Sequence, residues 1–153
     1  MRKMLFRGQT RRKGEKVWMD GSPVESNWVY GGIFQGRNIS VIYGYDPIEK
    51  HCVYSDTVGQ FTGLTDKNGK KIFEGDIVEY NDGFDHFKGE VVFENGAFGI
   101  GSYEVIGISS GCCDNFVNLW QLFWDQEVLG DPELYCCNVI GNIHDNPELL
   151  EVE

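Results

Sequence analysis

Short runs of β-branched and aromatic residues recur along the chain, each closed by Gly, Pro, Asn or Asp, and this pattern predicts strands rather than long helices. In the first half they are "KMLFRG" from Lys3, "KVWM" at Lys16 to Met19, "NWVYGGIF" at Asn27 to Phe34, "ISVIYGY" at Ile39 to Tyr45 and "CVYSDTVGQF" at Cys52 to Phe61. "DIVEY", "GEVVFE" and "AFGIGSYEVIGI" follow in the second half. Asn95 and Gly96 join the last two, and because both residue types tolerate positive φ, the pair predicts a type I′ hairpin. One helix is expected in "DNFVNLWQLFW", where Phe116, Leu119, Trp120 and Phe123 fall at i, i+3, i+4 and i+7 and Asp114 is placed as N-cap. Its apolar stripe reads as core. "NVIGNIHDNPELL" reads as a strand closing at Ile143, with Asn146 as cap and Pro147 opening a short helical turn.

A chain of 153 residues is long enough to bury a core without metal or disulfide staples. Aromatic residues at 14% and 20 glycines suit short strands and tight turns, so a mainly β domain is expected over 1–153. The pattern allows a subdivision into N-terminal strands, 1–62, and a second part, 63–153. The N-terminus "MRKMLFRGQTRRKGEK" has no apolar run fit for a signal peptide or a membrane span, which predicts a cytoplasmic protein with no membrane partner. Five cysteines, an odd number, then read as reduced thiols. The neighbours Cys112 and Cys113, and Cys136 and Cys137, are poorly spaced for converging on zinc, so no metal and no cofactor is expected.

The net charge of −11 is unevenly spread. Residues 1–16 carry seven Lys or Arg and one acid, whereas residues 72–153 carry Lys88 against seventeen acids. An acidic body repels phosphate backbones, which leaves the basic N-terminal segment as the place where nucleic acid could bind. Arg7, Arg11 and Arg12, with Trp18 and Trp28, have the ingredients of a stacking platform for a single strand, namely charge and flat π faces. The same residue types also suit protein partners.

The most site-like stretch is "QFTGLTDKNGKKIFEGDIVEY", Gln60 to Tyr80. Counted from Asp66, Gly69 falls fourth and Ile77 twelfth, which does not fit a calcium loop; Gly69-Lys70-Lys71 leads into a strand, which does not fit a P-loop. A tight turn is therefore expected. "GISSG" at Gly107 to Gly111 matches a nucleophile elbow literally, and Asp131 and His144 could nominally complete a triad around Ser109. The elbow works only as a strand-to-helix turn in an α/β sheet, however, so a Ser/Gly loop is the better reading. Glu74, Asp76 and Glu79 read as solvated surface. No coherent catalytic set emerges.

"KMLFRGQ", the central "QFTGLTDKNGKKIFEGDIVEY", the hairpin "GEVVFENGAFGI" and the terminal "VIGNIHDNPELL" together resemble the YopX family of phage and prophage proteins, in the family's order from about Lys3 to Leu150. The segment from 102 to 134 lies outside the resemblance and reads as this member's own elaboration. The resemblance implies small β-barrels of the Src-homology-3 type built from short antiparallel strands. It implies no activity, cofactor or site residue, and places the protein in a bacterial cytoplasm that carries a phage or prophage. The expected function is a non-enzymatic accessory protein that binds a host or phage protein through an acidic surface. A single-stranded nucleic-acid module built on the N-terminal strand is the alternative, and a small hydrolase around Ser109 the least favoured.

Overall fold

The computed structural model describes residues 4–14, 27–44, 49–105, 116–127 and 129–150. The expected strand at 16–19, the Ser109 motif, Cys112, Cys113 and the proposed cap Asp114 lie outside the described residues. The chain is mainly β and antiparallel, as its run pattern predicts, with one α-helix among the described residues. It divides into two compact units, Met1–Phe61 and Thr62–Glu153.

The first unit holds β1 (Phe6–Arg11), β2 (Asn27–Phe34), β3 (Ile39–Tyr43) and β4 (Lys50–Tyr54), hydrogen-bonded antiparallel in the order β4-β3-β2-β1. Opposite residues share a face and alternate residues switch faces. The register pairs Ile33 with Ile42 and Ser40 with Val53, and Ile42, Ser40 and Val53 are buried. Gly8 of β1 belongs to the same packing: a Cβ there would come within 2.8 Å of Val53 Cγ2, so only glycine lets the two strands approach so closely. Residues 52–61 were expected as one extended run but break at a 3₁₀ turn, Ser55–Thr57. The Thr57 hydroxyl causes the break, donating to the Tyr54 carbonyl at 2.6 Å and accepting from the Gln9 amide at 2.9 Å. Past the turn, β5 (Gly59–Thr65) begins, its Gly59 and Gln60 paired with Arg7 and Phe6.

In the second unit, the end of β5 is hydrogen-bonded to β6 (Lys71–Phe73). A five-stranded antiparallel sheet follows in the order β10-β9-β8-β7-β11, made of β7 (Asp76–Asn81), β8 (His86–Glu94), β9 (Ala97–Val105), β10 (Phe116–Asn118) and β11 (Cys137–Asn142). Strict alternation along β8 turns Phe87, Gly89 and Val91 inward. Its hairpin to β9 turns at Asn95 and Gly96, with φ of 51° and 81°, the type I′ signature that the Asn-Gly pair predicts. One core joins Leu64, Ile72, Val78, Val91, Ile100, Leu119, Phe123, Leu134 and Cys137. Each large aliphatic side chain buried there contributes about 1.5–3 kcal/mol.

The helix α1 is shorter than its periodicity predicts, spanning Leu119–Trp124. Phe116 to Asn118 instead pair with Gly101 to Gly99 of β9. Gly99 permits the pairing, because a Cβ on it would collide with the Phe116 ring. Asn118, not Asp114, is the N-cap, its side chain accepting from the Gln121 amide at 3.1 Å. Leu119 and Phe123 still point into the core, so the stripe kept its packing role while strand pairing took its first turn. At the C-terminal end Pro147–Leu150 forms the expected helical turn, of the 3₁₀ type.

Candidate functional site

Of the residues expected to bind, Trp18 lies outside the described residues and the other four are not presented together. Arg7 is 5% exposed on β1, its guanidinium 4.5 Å from the Trp28 ring centre on the neighbouring strand. Stacked this way, Arg7 gains cation–π attraction and Trp28 has one ring face covered. Arg12 lies 4.1 Å over the Tyr54 ring and forms a two-pronged pair with Asp56, at 3.1 and 2.8 Å. Arg11 is exposed at the end of β1, where a register shift between Gln9 and Arg11 breaks the regular alternation with Arg7.

The polar stretch around Gly69 is a turn held by one carboxylate. Asp66 is 1% exposed; its Oδ1 accepts from the Asn68 and Lys70 amides and its Oδ2 from the Val139 amide of β11, each at 2.9 Å. The Lys67 amide donates to the Cys137 carbonyl at 3.0 Å, which ties the turn to the same strand. Gly69 takes φ of 80°. Lys67, Lys70 and Lys71 point into solvent. Asp76, read from the sequence as solvated, is instead buried and accepts from the Phe73 amide at 2.8 Å, closing the turn between β6 and β7. Its neighbours Glu74 and Glu79 are half-buried.

The second unit presents acid and aromatic side chains together. Residues 62–153 hold eighteen Asp or Glu against four Lys. Between β7 and β8 the chain turns at Asp82, whose Oδ1 accepts from the Phe84 and Asp85 amides at 2.8 and 2.7 Å while Oδ2 accepts from the Tyr80 hydroxyl at 3.1 Å. The slight burial of Asp82 pulls its pKa up, but the hydrogen bonds from these amides and the hydroxyl outweigh it, and the carboxyl sits below its ordinary value. Burial and the same carboxylate push the Tyr80 phenol well above its ordinary value. The turn so ordered holds Phe84 out at 81% exposure. On α1, Trp124 is 61% exposed and followed by exposed Asp125 and Glu127. Burial, with the like charges of Glu74 and Glu94, raises the pKa of Glu90 on β8. His86 Nε2 approaches Glu79 at 3.2 Å. Among the described residues no group of three or more His, Cys, Asp or Glu could hold a metal ion, and no helix is long and apolar enough to cross a membrane.

Residues 22–151 match the YopX protein family. The chain belongs to the YopX family. A solved structure, protein EF1440 from Enterococcus faecalis, aligns with 97% of this YopX chain and 98% of its own, at 20% identity and a TM-score of 0.40. No curated protein matches. Phe84 is not among the residues the sequence pattern marks for binding, because "NDGFDHFK" falls between the strand runs "DIVEY" and "GEVVFE". The signal was present nonetheless: Asp-Gly ahead of an aromatic, with Asp on its far side, is an Asx-type turn that leaves the ring off the strand's inward positions.

Proposed function

We propose that this YopX protein is a non-enzymatic phage accessory module, acting in a bacterial cytoplasm, that binds a host or phage protein through the acidic surface of residues 62–153. The observation that carries the reading is Phe84, held almost fully exposed by a hydrogen-bonded turn between Asp82 and Asp85. Exposing a large aromatic forfeits about 1.5–3 kcal/mol of burial, and a partner that covers it recovers that loss. Because the turn is already ordered, little entropy is lost on docking. The surrounding charge adds selectivity for a basic partner. Glu90 is repelled by Glu74 and Glu94, and a cation brought near would relieve that repulsion. Aromatic anchors in a charged surround are the usual centres of binding energy at protein interfaces.

Affinity capture of the tagged protein from lysate of a phage-carrying bacterial host, with and without nuclease, tests the reading. A stoichiometric protein retained after nuclease, released by salt and lost from Phe84→Ala, supports it. Capture that disappears entirely with nuclease, or that Phe84→Ala leaves intact, overturns it.

A further inference from the structure

The hairpin β2–β3, within residues 1–61, carries an exposed aromatic surface of its own. The register places Gly32 and Phe34 of β2 on one face with Val41 and Tyr43 of β3, Gly32 opposite Tyr43 and Phe34 opposite Val41; Tyr30, two residues before Gly32 and opposite Arg7 of β1, has the same strand parity. Lys50 of β4 lies opposite Tyr43 on the same face. Phe34 is 69% exposed, Tyr30 49% and Tyr43 40%, and Arg37, at the hairpin tip, is exposed as well. This is the outward face: the alternate positions carry the buried Ile42 and Ser40.

We propose that this face binds single-stranded nucleic acid, with Tyr30, Tyr43 and Phe34 stacking bases and Arg37 and Lys50 meeting phosphates. Spacing is the first argument. Tyr30 and Phe34 are four residues apart on one strand, about 13 Å, and Tyr43 lies midway on the next strand, so successive ring-bearing positions step about 7–8 Å. A base stacked between two rings occupies two layers of about 3.4 Å, which fills that step. Gly32, without a side chain, leaves the floor between the rings open. Rigidity is the second. The hairpin tip is tied down by the Gly36 amide on the Ser40 hydroxyl at 3.1 Å, by the Ser55 hydroxyl on the Gly36 carbonyl at 2.9 Å, and by a 2.7 Å contact between the two hydroxyls. Charge complementarity is the third. Residues 1–61 hold nine Lys or Arg against six acids, the reverse of the balance in the rest of the chain. Asp56 pairs with Arg12, which leaves the excess of cations unchanged, and Glu49 lies 3.3 Å from His51. An exposed row of aromatics with flanking cations on a rigid sheet matches a single strand, whose bases can be splayed, and not a duplex, whose bases are paired.

Fluorescence anisotropy with labelled oligo(dT) of about twenty nucleotides, longer than a single-module footprint, tests the proposal on the full chain. Binding is expected to weaken with salt. Phe34→Ala and Tyr43→Ala are each expected to weaken it about five-fold or more at fixed salt without altering the salt slope. Arg37→Ala and Lys50→Ala are each expected to lower that slope by about 0.7, one phosphate contact apiece. All four side chains are exposed, so melting of the variants should match the parent; that control separates lost binding from lost fold. Three results overturn the proposal: no binding at low salt, binding indifferent to the two aromatic variants, or equal binding of a duplex of the same length. A fourth is self-association, measured by sedimentation and abolished by Phe34→Glu, with no oligonucleotide bound; it assigns the face to a second copy of the chain.

Discussion

Replacing Asp66 with Ala removes the acceptor for three backbone amides at once. The Val139 amide is buried, and stranding it costs about 1–3 kcal/mol. The Asn68 and Lys70 amides lie nearer the surface, so water replaces part of what they lose, leaving about 1 kcal/mol for each. The sum, roughly 3–5 kcal/mol, is a large fraction of the 5–15 kcal/mol typical of a folded domain. At about 2–4 °C per kcal/mol for a chain of this size, melting should fall by roughly 6–20 °C. Asp66→Asn should lie between, since its carbonyl oxygen can still serve the two loop amides while its NH₂ group faces the Val139 amide. Lys67→Ala, which changes only an exposed side chain, is the control. Urea and thermal unfolding followed by circular dichroism measure all three. If Asp66→Ala melts within about 1 kcal/mol of the parent, the carboxylate does not hold the turn against β11 and the structural reading of the Gln60–Tyr80 stretch fails.

Gly69→Val meets no neighbour within 4 Å but must adopt φ of 80°, so its cost, about 1–2 kcal/mol, should come from backbone strain alone and appear as a lower unfolding midpoint. Glu90 has a folded pKa above its unfolded one, so the folded state binds its proton more tightly and stability is lost as pH rises through the interval between the two. Glu90→Gln should therefore stabilise the protein at pH 7, and the gain should vanish below the ordinary glutamate range, about pH 4. Burial, with Asp66 adding, pushes the Cys137 thiol up to about 12, whereas Cys52 is exposed. Iodoacetamide at pH 8 should therefore label Cys52 in the native protein and Cys137 only after unfolding, as read by peptide mass spectrometry.

The sequence revealed strands wherever local chemistry was sufficient. The edges of β2 and β7, and the hairpin at Asn95-Gly96, follow from β-branched runs punctuated by residues that permit turning. Features decided by distant partners were not legible. Phe116 has a helical spacing with Leu119, Trp120 and Phe123 but joins β9, because Gly99 leaves room for its ring. The extended run 52–61 breaks at Thr57 because its hydroxyl answers the amide of Gln9, forty-eight residues away in sequence. Asp76 reads as one surface acid among many until the β6–β7 turn buries it. For binding, the sequence pointed to charge and aromatics near the N-terminus. Arg7 and Arg12 are consumed by stacking on Trp28 and Tyr54, and exposure falls instead on Tyr30, Phe34, Tyr43 and Phe84, a distinction that strand parity and turn order make and composition does not.

Capture from nuclease-treated host lysate, run in parallel with the parent, Phe84→Ala, and a variant carrying Glu94→Gln, Asp125→Asn, Glu127→Gln and Asp131→Asn, tests the acidic protein-binding surface most directly. The four acids are exposed, so the fold should be unchanged and melting equal to or above that of the parent. One stoichiometric protein is expected on the parent, lost from both variants. The same protein retained equally by all three, or none retained by the parent, would contradict that expectation.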